Sequence, residues 1–169
     1  MDFPEGITII TLSKEYLKKA IKLVESVFTD EEDSVRREIE ASVYEKKFQK
    51  YITKIDRHTK SLEYFIAVDY KGRLLGIIGL YTLIENYKDT LWIGWYCVDK
   101  KHRGRGIGRL LLDFAITKAR ERNKRYICLY TSTDRNEAEA QDIYDKYGFY
   151  VTEIVHKDGY DILFRKKTL

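Results

Sequence analysis

Val98-Asp99-Lys100-Lys101-His102-Arg103-Gly104-Arg105-Gly106-Ile107-Gly108-Arg109-Leu110-Leu111-Leu112 joins two segments of different periodicity. Upstream, Thr90 to Val98 carries apolar residues on both faces, which predicts a central strand covered on both sides. Downstream, Ile107, Leu110, Leu111, Phe114, Ala115 and Ala119 recur at helical spacing, which predicts a helix from about Gly106 to Arg122. Between strand and helix, three glycines alternate with Arg103, Arg105 and Arg109. Glycine lets the backbone turn sharply and approach a ligand closely. The first amides of a helix have no partner within it, and their summed dipole favours an anion. Guanidinium groups beside them add fixed positive charge. The stretch fits a phosphate ester. The plainer alternative is a glycine-rich surface turn with solvated arginines, and the flanking strand and helix weigh against it.

Spacing separates three kinds of phosphate loop. A dinucleotide-binding loop needs glycine where Arg109 stands and an acid about 20 residues on, where Arg125, Tyr126 and Ile127 stand instead. A nucleotide-triphosphatase loop ends in Gly-Lys-Ser/Thr, which is absent. The third pattern, Arg/Gln-x-x-Gly-x-Gly, is met by Arg103, Gly106 and Gly108. It resembles the acyl-CoA loop of the GNAT N-acyltransferases.

Composition narrows the class. A chain of 169 residues suits a single domain, 1–169, with a real core. The net charge is only +4, with 27 acids against 31 bases, so general nucleic-acid binding is not indicated. Cys97 and Cys128 fall in predicted strands and read as buried free thiols. No cluster of histidines, cysteines and acids has metal-ligand spacing, so no metal is expected. Asp2, Pro4 and Glu5 do not make a signal peptide. The longest apolar run, Leu74 to Ile84, falls short of the ~20 residues that span a bilayer. A cytoplasmic protein without membrane association is the expectation.

Ile7 to Leu12 reads as a strand, and Ser13 as the cap of a helix buried through Leu17, Ala20, Ile21, Val24 and Val27. The acids from Asp30 to Asp33 suit the start of a second helix, or a rim that attracts a cationic amine. That helix runs through Val35, Ile39, Val43, Phe48 and Ile52, with room for one break. His58 reads as a solvated helix end. Leu62 to Tyr70 and Leu74 to Leu83 form a hairpin at Lys71-Gly72, and a second tight turn leads into the central strand. Gly94 interrupts that strand and suggests a bulge. After the loop helix come a strand from Arg125 to Thr131 and a helix starting at Asp134-Arg135-Asn136 and ending at Gly148. A closing hairpin runs from Tyr150 to Val155 and from Tyr160 to Arg165. Strand, crossover helix and strand make a parallel pair.

This order of elements, with Arg103-x-x-Gly106-x-Gly108 and Tyr144-x-x-x-Gly148-Phe149, resembles the GNAT superfamily over Ile7 to Arg165. The resemblance implies a mixed α/β fold: a mostly antiparallel sheet splayed at a parallel strand pair, with helices on both faces. It also implies acetyl-CoA as acyl donor, its pantetheine arm entering where the strands part. Backbone groups of Tyr96, Cys97 and Val98 would pair with that arm. Amides of Gly104, Arg105, Gly106, Ile107, Gly108 and Arg109, with Arg103 beside them, would take the pyrophosphate. An amide near Tyr96 would face the developing oxyanion, and Tyr144 would protonate the departing thiolate. The acceptor that the resemblance implies is a primary amine, with a small amine or polyamine and a protein N-terminus or lysine both open. A homodimer is compatible with this reading.

Two positions depart from the family pattern. An asparagine expected seven residues before Tyr144 is replaced by Glu137, leaving Asn136 one step earlier as a cofactor contact or a helix cap. The general base expected on the central strand, or on the strand after the loop helix, is missing: Leu91-Trp92-Ile93 and Tyr130-Thr131 carry no carboxylate. Glu85 is the nearest substitute by sequence, with ordered water as the alternative. Trp92, Trp95 and Tyr96 read as core, or as the wall of an acceptor pocket. A non-catalytic acyl-CoA sensor or assembly subunit is the rival reading, and nucleic-acid binding through Lys100 to Arg109 a weaker third.

Overall fold

The computed structural model describes residues 6–135 and 137–169. Its elements run β1 (Ile7–Thr11), α1 (Leu17–Val27), α2 (Glu32–Val43), α3 (Glu45–Lys54), β2 (Thr59–Asp69), β3 (Leu74–Leu83), β4 (Thr90–Val98), α4 (Ile107–Glu121), β5 (Tyr126–Ser132), α5 (Ala138–Lys146), β6 (Tyr150–Lys157) and β7 (Tyr160–Thr168). The strands form one mixed sheet in the order β1-β2-β3-β4-β5-β7-β6, with β4 at its centre. Every neighbouring pair is antiparallel except β4 and β5.

Alternation along β2 divides the core. Tyr64, Ile66 and Val68 point to one face, where they meet Ala20, Ile21 and Val24 of α1 and Val35 and Ile39 of α2. Phe65 and Ala67 point to the other, where Ile107, Leu111, Leu112 and Ala115 of α4 cover them. Helices thus lie on both faces. Val24, Val35, Ile39, Leu111 and Leu112 are fully buried, and each such side chain contributes roughly 1.5–3 kcal/mol.

Two irregularities place the site. The parallel pair is short: Thr90, Leu91 and Trp92 face Tyr126, Ile127 and Cys128. Beyond Trp92 the two strands part, and among the described residues no strand pairs with that edge of β4. On its other edge β4 bulges. Ile78 faces Tyr96 and Leu80 faces Ile93, so Gly94 and Trp95 together oppose Gly79.

Several boundaries differ from expectation. Ser13 does not cap α1, which begins at Leu17; the Ser13 carbonyl instead accepts from the Tyr16 amide in a preceding turn. The second helical stretch breaks at Tyr44, whose φ of −116° and ψ of 118° are extended. The last helix begins at Ala138 rather than at Asp134, because Glu137 turns back to bond the Ser132 amide at 3.0 Å. The closing strands run on to Lys157 and Thr168.

Candidate active site

The loop after β4 is open. Asp99 closes a single 3-10 turn by accepting from the Lys101 amide at 2.9 Å, and the chain then passes through Gly104 and Gly106, both at positive φ (74° and 78°). Gly106 caps α4 in that left-handed conformation, which L side chains adopt only under strain. A Cβ on Gly104 would meet no atom within 4 Å. Among the described residues no backbone carbonyl outside the helices and strands accepts from the amides of Gly104 to Arg109. Arg103, Arg105 and Arg109 are exposed around them. These are the features an anionic diphosphate requires.

Below the loop, the gap between β4 and β5 opens into a cavity of about 580 Å³. Tyr96 ties the two together. Its side chain lines the cavity, while its hydroxyl donates to the Gly108 carbonyl at 2.7 Å. A Cβ on Gly108 would lie 2.9 Å from that hydroxyl, so a larger residue there would have to displace the Tyr96 phenol. Trp92 and Trp95 line the same cavity, steadied by Tyr81 (ring centroids 6.0 Å) and Phe28 (4.9 Å). Six carboxylates reach its wall: Asp30, Glu31, Glu38, Asp56, Asp134 and Glu137. His58 is the one basic side chain among the described residues that line it.

Tyr144 enters this cavity from α5. It is only 6% exposed and packs between Tyr96 (6.5 Å) and Phe149 (5.9 Å). Burial raises its phenol above the usual tyrosine range, Glu137 adds to the shift, and Arg165 partly opposes it. Arg165, itself 5% exposed, fastens α5 to the sheet. It donates to Gln141 (3.1 Å), Asp145 (2.6 Å) and the Phe149 carbonyl (3.1 Å), with its guanidinium 6.0 Å from the Tyr144 ring centre. Gly148 ends the helix at φ 77° and turns the chain into Phe149.

A second cluster matches no motif in the sequence. Tyr64 of β2 lies directly opposite Gly79 of β3, and a Cβ on Gly79 would sit 2.5 Å from its ring. The phenol crosses β3 through that space. Its hydroxyl donates to Glu38 Oε1 at 2.5 Å and accepts from the Trp95 amide at 3.2 Å. Burial pushes the Glu38 carboxyl up to about 7, although the Tyr64 hydrogen bond favours its charged form. The available signal was a glutamate three residues after Val35, beside Ile39 on an apolar stripe, together with glycines inside two consecutive strands.

The expected residues are placed unequally. Tyr96 and Tyr144 share the cavity. Cys97 is buried towards α1 and α2, its thiol pushed up to about 12 by burial. The Val98 carbonyl accepts from Arg103 Nε at 3.3 Å. Glu85 sits in the exposed turn before β4, bonded to His58. Its own backbone amide and His58 hold its carboxyl below the ordinary range. Asn136 lies outside the described residues. Among the described residues, no group of three or more His, Cys, Asp or Glu could hold a metal ion, and no helix is long and apolar enough to cross a membrane.

The sequence matches the acetyltransferase (GNAT) family over residues 24–149, well over half of the chain. No curated protein matches it. Among solved structures, an acetyltransferase of the GNAT family from Desulfovibrio desulfuricans superposes with a TM-score of 0.74 at 15% identity, covering 96% of this chain and 98% of that one. A GNAT family acetyltransferase from Elizabethkingia anophelis, solved with acetyl-CoA bound, gives 0.63 at 20% identity, with 98% and 99% covered. A spermidine/spermine N-acetyltransferase from Vibrio cholerae gives 0.65 at 16% identity, with 98% and 94% covered. At these identities the likeness is one of fold.

Proposed function

Because the chain belongs to the acetyltransferase (GNAT) family, we propose that it is a single cytoplasmic domain, 1–169, that transfers the acetyl group of acetyl-CoA to a cationic primary amine by direct attack in a ternary complex. One observation carries this reading: unpaired amides at Gly104 to Arg109 adjoin the parted strands β4 and β5, whose gap leads to an acid-lined cavity. The loop and its arginines take the diphosphate, and Asn136 and the edge of β4 at Tyr96 and Cys97 take the pantetheine arm, with the Val98 carbonyl joining once Arg103 turns from it to the diphosphate. The acceptor enters the cavity, whose carboxylates and aromatic rings favour an ammonium group. A polyamine or a basic peptide end meets that requirement.

The amine nitrogen attacks the thioester carbonyl carbon; a C–N bond forms and the C–S bond breaks. The nitrogen loses two protons over the reaction. One ends on the CoA sulfur and the other in solvent. Tyr144 serves the leaving group. Its raised pKa keeps the phenol protonated at neutral pH, so it donates a hydrogen bond to the thiolate as charge develops there. We assign Glu85 an outer role. A carboxyl held low takes a proton reluctantly, and Glu85 instead orients His58 at the rim of the cavity.

The test is CoA release from acetyl-CoA across a panel of aliphatic amines, polyamines and peptides. Turnover with a cationic amine is the expected outcome, and binding of acetyl-CoA without release of CoA would identify a sensor instead. Calorimetry of Gly106→Asp should show acetyl-CoA binding lost, since the change places an anion and a strained residue where φ is 78°. Parental affinity in that variant would remove the loop from the site.

A further inference from the structure

An ammonium has no lone pair, so a proton must leave the acceptor before its nitrogen can attack. Tyr144 is a donor and Glu85 stands in the exposed turn before β4, which leaves the inner cavity without an assigned proton acceptor. We propose that Glu38, fixed by Tyr64 against the β4 bulge, binds the acceptor ammonium and takes its proton as general base. The proposal rests on the acetyltransferase reading above.

Three strands converge on this carboxylate. Val35 and Ile39, both fully buried, set the face of α2 that meets the sheet, and Glu38 lies on that face. Gly79 opens the path for the Tyr64 ring, and Gly94 opens the place where phenol and carboxylate meet. A Cβ on Gly94 would lie 3.0 Å from the Tyr64 hydroxyl and 3.2 Å from Glu38 Oε1. The bulge at Gly94 and Trp95 belongs to the part of β4 whose other edge is free of β5. Glu38, Gly94, Trp95, Tyr96 and Tyr144 all line one cavity, so acceptor nitrogen and departing sulfur fit between a base and a donor.

The groups that face Glu38 electrostatically are Tyr64 from β2, Tyr81 from β3, Tyr130 from β5, and Tyr51 and Asp56 from α3 and the turn after it. None is a cation. The charge balance therefore waits for a positively charged ligand, and the carboxyl meanwhile titrates at about 7. On binding, the ammonium lowers that value and then gives up its proton, leaving a neutral amine and a neutral Glu38 acid. The amine attacks, its second proton follows the electrons to sulfur, and Glu38 returns the first to solvent.

The experiment is the pH dependence of CoA release with acetyl-CoA and an aliphatic diamine, repeated with trifluoroethylamine, a weakly basic amine already neutral near pH 7. Wild-type kcat/KM should fall on the acid side of about 7. Glu38→Gln should lose that limb and about a hundredfold or more in kcat for the diamine, much less for the fluorinated amine, with acetyl-CoA affinity retained. Tyr64→Phe, which deletes a bond favouring the charged carboxylate, should move the limb to higher pH. Glu38→Asp should recover part of the rate. An acid limb near 7 that persists in Glu38→Gln with trifluoroethylamine, or an equal loss with both amines, overturns the assignment while the transferase reading stands. Wild-type protein that binds acetyl-CoA yet turns over no amine overturns both.

Discussion

At Glu38, burial and hydrogen bonding pull in opposite directions, and burial wins: the carboxyl rises from 4.5 to about 7. Between those values the folded protein holds a proton that the unfolded chain releases, so stability declines as pH rises through this window and stays reduced above it. Glu38→Gln escapes that loss. Thermal melts should place it above wild type beyond pH 7, by on the order of 3 kcal/mol, with the gap closing towards pH 4.5. A gap constant with pH would mean that the Glu38 carboxyl titrates in the folded protein where it does in the unfolded chain. Tyr144 invites a different substitution. Tyr144→Phe keeps the ring packing with Tyr96 and Phe149 but removes the donor, so kcat should drop about tenfold to a hundredfold while calorimetry shows acetyl-CoA binding intact. Tyr144 was readable from its place before Gly148-Phe149. Glu38 was not, because a helical glutamate gives no sign in sequence of which strand it will be pressed against.

Helix α5 carries Tyr144 but buries few side chains of its own, Tyr144 being the buried one among those described. What holds it is Arg165, reaching from β7 to Gln141, Asp145 and the Phe149 carbonyl. Arg165→Met removes these bonds and should cost about 2 kcal/mol in denaturant unfolding. It should also lower kcat more than acetyl-CoA affinity, because in the proposed complex α5 bears on the leaving group and α4 on the diphosphate. Hydrogen exchange should quicken in α5 before α4; equal quickening in both would mean global loosening. The elements themselves follow from hydrophobic patterning, and β3 and β4 fall where their apolar runs put them. Ends were harder to read. Ser13 looked like a cap but lies one turn too early, and the start of α5 was set by the Glu137 side chain bonding back to Ser132.

Across the whole molecule, charge is sorted. A chain of net charge +4 gathers exposed arginines around the Gly104 to Gly108 loop and six carboxylates around the cavity next to it. In the proposed reaction two substrates of opposite sign are each drawn to their own end, and salt should weaken both attractions. KM for acetyl-CoA and for a diamine should both rise between low and moderate ionic strength, while a neutral isostere of the diamine should show little salt dependence and a higher KM throughout. Salt-independent KM values would mean that neither field guides binding. The sequence by itself determined the mixed α/β architecture, the glycine- and arginine-rich loop after β4 and the family motif to which Tyr144 belongs, because periodicity and motif spacing are local properties of the chain. Tertiary structure alone decided where β4 and β5 part, which acids share a cavity, and that Tyr64 crosses Gly79 to hold Glu38. Those contacts join residues far apart in sequence, and only the register of the sheet brings them together.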